Sequence, residues 1–506
     1  MTIFVLVRRF LADYARNPVN LLLLAVVPVV FVIVVAGRLA DAARLLAGPG
    51  GATVETASAG WAAAFLAGIA MYFQTAATRD TDRRLVIAGL PAARLVAGRL
   101  LTGLVLAVMA AAVAQSALAI RTGLDAPARV IAGTLMFAVI YVAIGAVVGT
   151  LVRNPVNGTV IILFIWILDV FFGPAMGAAD RWATRPLPTH FVTLWMVDLP
   201  SGHGGRVGDL GWGLLWMTAA IAVAWTVTVA RTRRSRTHAP ARPGRARTQL
   251  MGACLGAWRD ARRNPALWVL FVVVPLVFIW TADAVTPDEP ISLRVTEDGH
   301  AADAVFRMPD VHGATMAPIA VASLAALVGL FTMVDARDGD RRAALAGMRT
   351  GALLGARLTV LSGAALAAAA ISLAATAAVF DAVRWPVYVF ANVLLALTYA
   401  LVGALLAPLF GRIGGVFLAF LLPFLDIGIS QSPMLQPEPG SGARLLPGFG
   451  GSRVLLDAAL TPGFDEVGPL WAGVVWLAVL ALFVTITYRR SVAPARPAVI
   501  RREELP

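Results

Sequence analysis

A chain of 506 residues with 59 % hydrophobic and 14 % charged residues and a mean hydropathy of +0.79 is too apolar for a soluble globular domain, in which about a quarter of residues are charged. Its net charge of +13 comes from arginine as the only strong base, because no lysine occurs. These arginines cluster at the ends of apolar runs, where positive-inside sorting places them, rather than on a nucleic-acid-binding face. A single cysteine, Cys254, excludes an intramolecular disulfide and a cysteine-built metal site.

Thr2 to Ala15 alternates apolar and charged residues at helical spacing and predicts an amphipathic helix in the membrane interface. Asn17-Pro18 breaks it and turns the chain inward, since proline disfavours helix at the preceding residue and suits a new first turn. Crossing about 30 Å of hydrocarbon takes about 20 residues. Six such runs follow, at 20–36, 59–78, 100–120, 130–151, 157–176 and 210–230. Arg8, Arg9 and Arg16, the Arg79 to Arg99 segment, Arg153, and Arg231 to Arg247 then all fall on one side, which is the cytoplasmic one. Residues 231–249 read as a basic linker lying along anionic lipid, with no acidic residue as far as Arg247 and with Pro240 and Pro243 against a packed fold.

Leu250 to Arg262 then restarts the pattern with a second amphipathic stretch, followed by Asn264-Pro265 and six more runs at 266–282, 318–335, 358–380, 386–409, 413–430 and 469–488. The expected organisation is a first half over 1–230, the linker 231–249, a second half over 250–490 and a cytoplasmic tail over 491–506. The fold class is all-α and polytopic: 12 transmembrane helices as two parallel six-helix repeats, each preceded by an amphipathic interfacial helix. An even number of crossings leaves both termini in the cytoplasm. No cleavable signal peptide is expected, because Leu21 to Ala36 leads into Arg38. Longer stretches at 37–58, 179–209, 283–318 and 431–468 are expected as outer loops serving as lids or caps. The arginine, alanine and glycine bias suggests a GC-rich bacterial source, hence a bacterial plasma membrane.

The halves correspond residue by residue. Arg16-Asn17-Pro18 returns as Arg263-Asn264-Pro265 at an offset of 247, and Arg79-Asp80, Asp82-Arg83-Arg84 return as Arg337-Asp338, Asp340-Arg341-Arg342 at an offset of 258. Ala88-Gly89, Arg99, Tyr141, Gly145, Asp169 and Trp212 return as Ala346-Gly347, Arg357, Tyr399, Gly403, Asp426 and Trp471. A duplicated unit of this length is a domain rather than a solenoid repeat.

No residue pattern here performs catalysis. A phosphate-cradling loop requires a lysine, the five histidines are scattered without ligand spacing, and no nucleophile elbow is present. The densest charge lies between the second and third runs of each half: Arg79, Asp80, Asp82, Arg83 and Arg84, with Arg337, Asp338, Asp340, Arg341 and Arg342. Each such charge costs about 2.5 to 3.5 kcal/mol at a bilayer centre, so these segments stand outside the hydrocarbon. Two readings apply: topogenic charges alone, or a short helix over 80–90 that docks Leu85, Val86, Ile87 and Leu90 on a cytoplasmic partner. Inside the bilayer, Asp169 and Asp426 lie about a dozen residues into the fifth run. They stand either for a role in cargo passage or for caps of short outer helices. Tyr141, Tyr399 and Asn392, with Gln74 and Gln115, are further candidates for polar surface between the halves, the alternative being interhelical hydrogen bonds. Trp61, Trp212, Trp216, Trp268, Trp385 and Trp471 fall near run ends, as an aromatic belt does.

The amphipathic start, the Asn-Pro turn into the first run, the arginine-rich segment with Gly89-Leu90-Pro91, and Arg99 opening the third run resemble the membrane subunits of type-two ATP-binding-cassette (ABC-2) exporters, across both halves. The second copy departs in having Met348-Arg349 where the first has Leu90-Pro91, and the family's Gly-Thr pair is absent from both. The resemblance implies that the first helix is an elbow and that the segment after the second run bears a coupling helix seated on an ATPase. It further implies that ATP and Mg are bound by a separate ATPase subunit, two copies per chain, and by no residue of this chain. The implied cargo is a hydrophobic or amphipathic small molecule, as in antibiotic and multidrug efflux permeases. The alternative is a 12-span secondary antiporter of the major facilitator type; a membrane scaffold or immunity factor that moves nothing is a third class.

Overall fold

The computed structural model describes residues 3–233 and 265–492, apart from short stretches at 46–47, 49, 178–181, 183 and 298–299. The second amphipathic stretch, most of the linker and the end of the tail lie outside the described residues. Helix α1 (Ile3–Ala15) leads through Asn17, whose side chain caps Val19 N at 3.1 Å, into α2 (Pro18–Leu45), which carries a π turn at Phe31–Val35. Then come α3 (Gly51–Ile87), α4 (Ala92–Arg121), α5 (Pro127–Leu151), α6 (Pro155–Phe171), the short α7 (His190–Val197) and α8 (Gly205–Arg233). The second half runs α9 (Pro265–Val285), an antiparallel hairpin of β1 (Pro290–Glu297) and β2 (His300–Arg307), α10 (Met308–Leu345), α11 (Thr350–Thr376), α12 (Trp385–Ser430), α13 (Gly448–Leu460) and α14 (Val467–Val492).

The protein is an all-α polytopic membrane protein in which ten of these helices are long and apolar enough to cross a bilayer. α6 is apolar but has 17 residues, and the 46-residue α12 is broken at Gly411 (φ 64°, ψ −160°), a backbone region that only glycine occupies readily. The same break in the first half is made differently: Asn154 caps Val156 N at 2.9 Å ahead of Pro155. Each of the twelve apolar runs is therefore helical over most of its length.

Several expectations for the loops are corrected. Residues 37–58 are mostly helix, because α2 continues to Leu45 and α3 starts at Gly51; Leu39, Ala40 and Ala43 keep an apolar stripe buried after the run of pure hydrophobics has ended. The 283–318 stretch holds the hairpin and the start of α10, while 179–209 and 431–468 hold α7 and α13. The arginine-rich segment is not a loop with its own helix either. α3 and α10 continue unbroken into it, to Ile87 and Leu345, since no Gly or Pro interrupts residues 69–87 and the lone Gly339 does not stop α10. Trp61 leaves the belt: its side chain is buried, and its carbonyl accepts from Trp166 Nε1 at 2.8 Å.

Within each half the second run packs along the fourth, α3 on α5 and α10 on α12. Glycine sets the separation: a Cβ on Gly145 would fall on the carbonyl oxygen of Gly68, and one on Gly403 on that of Ala326. Small residues at a crossing let transmembrane backbones approach where lipid supplies no hydrophobic drive. Gly145→Val and Gly403→Val are each expected to lower stability by about 3 kcal/mol. Gly363→Val, whose side chain meets open space, should change it by about 0.5 kcal/mol or less. Thermal unfolding of the three purified variants checks this.

Candidate functional site

The charged candidates lie at the turns α3–α4 and α10–α11. Both close with the same hydrogen bonds. Leu90 N reaches Leu85 O at 3.0 Å and Gly89 N reaches Val86 O at 3.0 Å, while Met348 N reaches Ala343 O at 2.9 Å and Gly347 N reaches Ala344 O at 3.1 Å. Gly89 (φ 95°) and Gly347 (φ 92°) occupy the left-handed position that such a helix end requires, which is why Ala-Gly recurs there.

Behind each turn sits a carboxylate–guanidinium pair. Asp82 accepts from Arg99 Nη2 at 2.6 Å and Nε at 3.1 Å, and Asp340 accepts from Arg357 Nη2 at 2.8 Å and Nε at 3.1 Å. Both pairs are two-pronged and largely buried, the geometry in which such bonds are strongest. Among the described residues each pair also meets a helix outside its own hairpin. In the first, the Arg99 guanidinium lies 3.6 Å from the centroid of Phe10 on α1, and Leu6, Phe10 and Leu95 form a cluster on which Val86 and Leu90 pack. In the second, Tyr488 on α14 donates to Asp340 Oδ2 at 2.7 Å.

The remaining candidates in these segments divide by face. Arg79 donates from Nε to Gly149 O at 2.7 Å and also bonds Val152 O, tying the end of α5. Arg337 is exposed and lines a cleft with Thr487 and Ser491. Arg83 is half-buried, whereas Asp80, Arg84, Asp338, Arg341 and Arg342 are exposed. On the same outward face, at matched positions, stand Ile87, 74 % exposed, and Leu345, 65 % exposed. Sequence reasoning placed Ile87 in the docking segment but gave Leu345 no role; the offset of 258 between them was the signal.

Inside the bundle the Tyr–Asp candidates are brought together. Tyr141 donates to Asp169 Oδ2 at 3.0 Å, and Asp169 also accepts from Thr189 N at 3.2 Å and Thr189 Oγ1 at 2.7 Å, at the start of α7. Tyr399 donates to Asp426 Oδ2 at 2.5 Å, and Asp426 accepts from Gly448 N at 2.7 Å, at the start of α13, and from Gln431 Nε2 at 3.2 Å. Each carboxylate thus fastens a short helix to the fifth run through the helix's unsatisfied N–H end. Asn392 donates to Tyr388 O at 3.0 Å, and Gln115 to Val130 O at 3.2 Å, both as interhelical or intrahelical bonds of the core.

The halves meet through α6, which packs on α9 and α10, and through α12, which packs on α2 and α3. Aromatic rings seal the centre: Phe65 lies 4.9 Å from Trp166 and 5.1 Å from Phe417, and Trp166 lies 5.7 Å from Phe420. Two adjoining cavities, of about 40 and 100 Å³, follow this interface and share Phe171, Phe278, Ile319 and Phe424. Neither is lined by Asp169, Asp426, Tyr141, Tyr399 or Asn392. The larger lies by the end of α2 remote from the turns, and its wall includes Arg38 and His312, which sequence reasoning did not single out.

Residues 56–230 match the model of the ABC-2 family transporter protein family. No curated protein matches the chain.

Two measurements probe these contacts. Asp340→Asn removes the charge that pairs with Arg357 and is expected to destabilise by about 3 kcal/mol, with Asp340→Leu/Arg357→Leu recovering most of that loss in a thermal-unfolding cycle. Asp426→Ala should release the α13 end at a cost of about 2 kcal/mol, seen as faster hydrogen exchange at Gly448 to Ser452, while Asp426→Asn retains slow exchange.

Proposed function

Taking the chain as a membrane permease with an ABC-2 family transporter domain over residues 56–230, we propose that it is a two-half exporter permease driven by a separate ATPase, one copy under each turn. α6 counts as a tilted or shortened crossing and α12 as two, so twelve crossings place both termini and both turns in the cytoplasm, in a bacterial plasma membrane. ATP and Mg are held by the partner.

The observation that carries this reading is the pair of matched tips. Ile87 and Leu345 are large aliphatic side chains left in solvent beside Arg84 and Arg342, on helix ends braced from behind by Asp82–Arg99 and Asp340–Arg357. An exposed apolar knob on a rigid charged helix end suits a groove in a protein partner, and its occurrence twice suits a partner present twice. The braces make each tip move with the whole of α3 and α4, or α10 and α11. Force applied at the tip is thereby delivered to helices that form the inter-half interface.

The cargo is a hydrophobic or amphipathic small molecule, since the cavities between the halves are walled by Phe, Leu, Ile and Val. At about 40 and 100 Å³ they fall well short of the roughly 300 to 1,000 Å³ of sites that hold a drug-sized ligand, so the halves part during transport. The ABC-2 family match and the elbow helix α1 favour this reading over the major facilitator antiporter.

Ile87→Glu together with Leu345→Glu is expected to abolish co-purification of the ATPase and at least tenfold of transport while leaving membrane insertion and thermal stability intact. Transport that persists in that variant, or that collapses with a proton ionophore at unchanged ATP, overturns the proposal.

A further inference from the structure

We infer that the cargo carries an anionic headgroup, received by Arg38 at the outer mouth of the path between the halves. The inference rests on the reading of that interface as the cargo path. Among the described residues Arg38 is the only charged one on the wall of the larger cavity, whose other lining includes Leu39, Phe171, Phe278, Met316 and Phe424. The guanidinium is half-buried and has no carboxylate partner among the described residues. Its neighbour is neutral: with the Gln436 amide oriented so that its oxygen faces the guanidinium, that oxygen accepts from Arg38 Nη2 at 2.6 Å and Nη1 at 2.9 Å. Nearby Arg44 is engaged with Asp41 at 3.3 Å, and His312, the other titratable group on the wall, is hydrogen-bonded through Nδ1 to Thr286 Oγ1.

Depth fixes the orientation of the guest. Arg38 lies 20 residues beyond Pro18, where α2 begins, so at 1.5 Å per residue it stands about 30 Å along the helix, at the opposite interface from the turns. A guest that uses the path therefore meets a positive charge at headgroup level and an apolar, aromatic slot beneath it. The complementary molecule has a carboxylate or phosphate head bonded to both Arg38 nitrogens in place of the Gln436 oxygen, with its hydrocarbon portion directed toward Phe171 and Phe278. A charged oxygen forms the stronger bond to a guanidinium than a neutral amide does, so exchange is favourable. A cationic amphipath meets repulsion at the same point.

The test uses the full chain in nanodiscs of zwitterionic lipid and a pyrene-labelled alkyl carboxylate at pH 8, compared with its methyl ester and its amine. The carboxylate is expected to bind at least tenfold more tightly than either. Arg38→Gln should erase that preference, Arg38→Lys should keep part of it, and Arg44→Gln should leave it unchanged. Displacement of the probe on adding phosphatidylglycerol identifies the bilayer as the source of the anionic head, and retention identifies a free amphiphile. Equal binding of the three probes, or a preference that survives Arg38→Gln, overturns the inference while leaving the path in place. Failure of every probe to bind overturns the inference and the cargo path with it.

Discussion

The two buried Asp–Arg pairs behind the turns are the constraint from which this end of the protein follows. An aspartate one turn from a helix end and an arginine in the next helix, held by two bonds each, allow α3 to leave the membrane without a loop and return as α4 at a fixed angle. The same holds for α10 and α11. Charge that looks topogenic in the sequence is thus split into two populations. Asp82, Arg99, Asp340 and Arg357 face inward and set geometry; Asp80, Arg84, Asp338, Arg341 and Arg342 face outward and are available to a partner.

At the other end the Tyr–Asp pairs do comparable work with different chemistry. A transmembrane carboxylate is expensive when isolated, and Asp169 and Asp426 are each surrounded by three donors, one of them a backbone N–H at the first turn of a short helix. The short helices α7 and α13 are thereby fastened to the fifth run, which itself lines the meeting surface of the halves. Braces at one end and fasteners at the other flank an aromatic middle around Trp166, Phe65, Phe417 and Phe420, where the halves meet through ring contacts.

Much of this was legible from residues alone. Asn17-Pro18 announced the end of α1 because its physics is local, and the recurrence of Ala-Gly at 88–89 and 346–347 marked turns whose backbone needs glycine. The hairpin was readable and missed: Ile291, Leu293 and Val295 alternate with Ser292, Arg294 and Thr296, a period of two within a segment taken for a loop. The extended ends of α2 and α3 were not legible by hydropathy, which stops where the membrane stops although a helix need not. The break at Gly411 falls in the gap between the runs 386–409 and 413–430, as Asn154-Pro155 falls between 130–151 and 157–176, although the two halves make it with different residues. Pairings such as Asp82 with Arg99, or Tyr488 with Asp340, depend on the return angle of a second helix and on a residue 148 positions away, which no local pattern encodes.

Fusion of two copies into one polypeptide removes the requirement that both be the same. The inner carboxylate of the first copy is steadied by way of an aromatic ring on the leading helix, that of the second by a phenol on the last membrane helix. Each buried pair is thereby anchored to a helix outside the two that it joins, so neither helical hairpin can tilt without engaging a third helix.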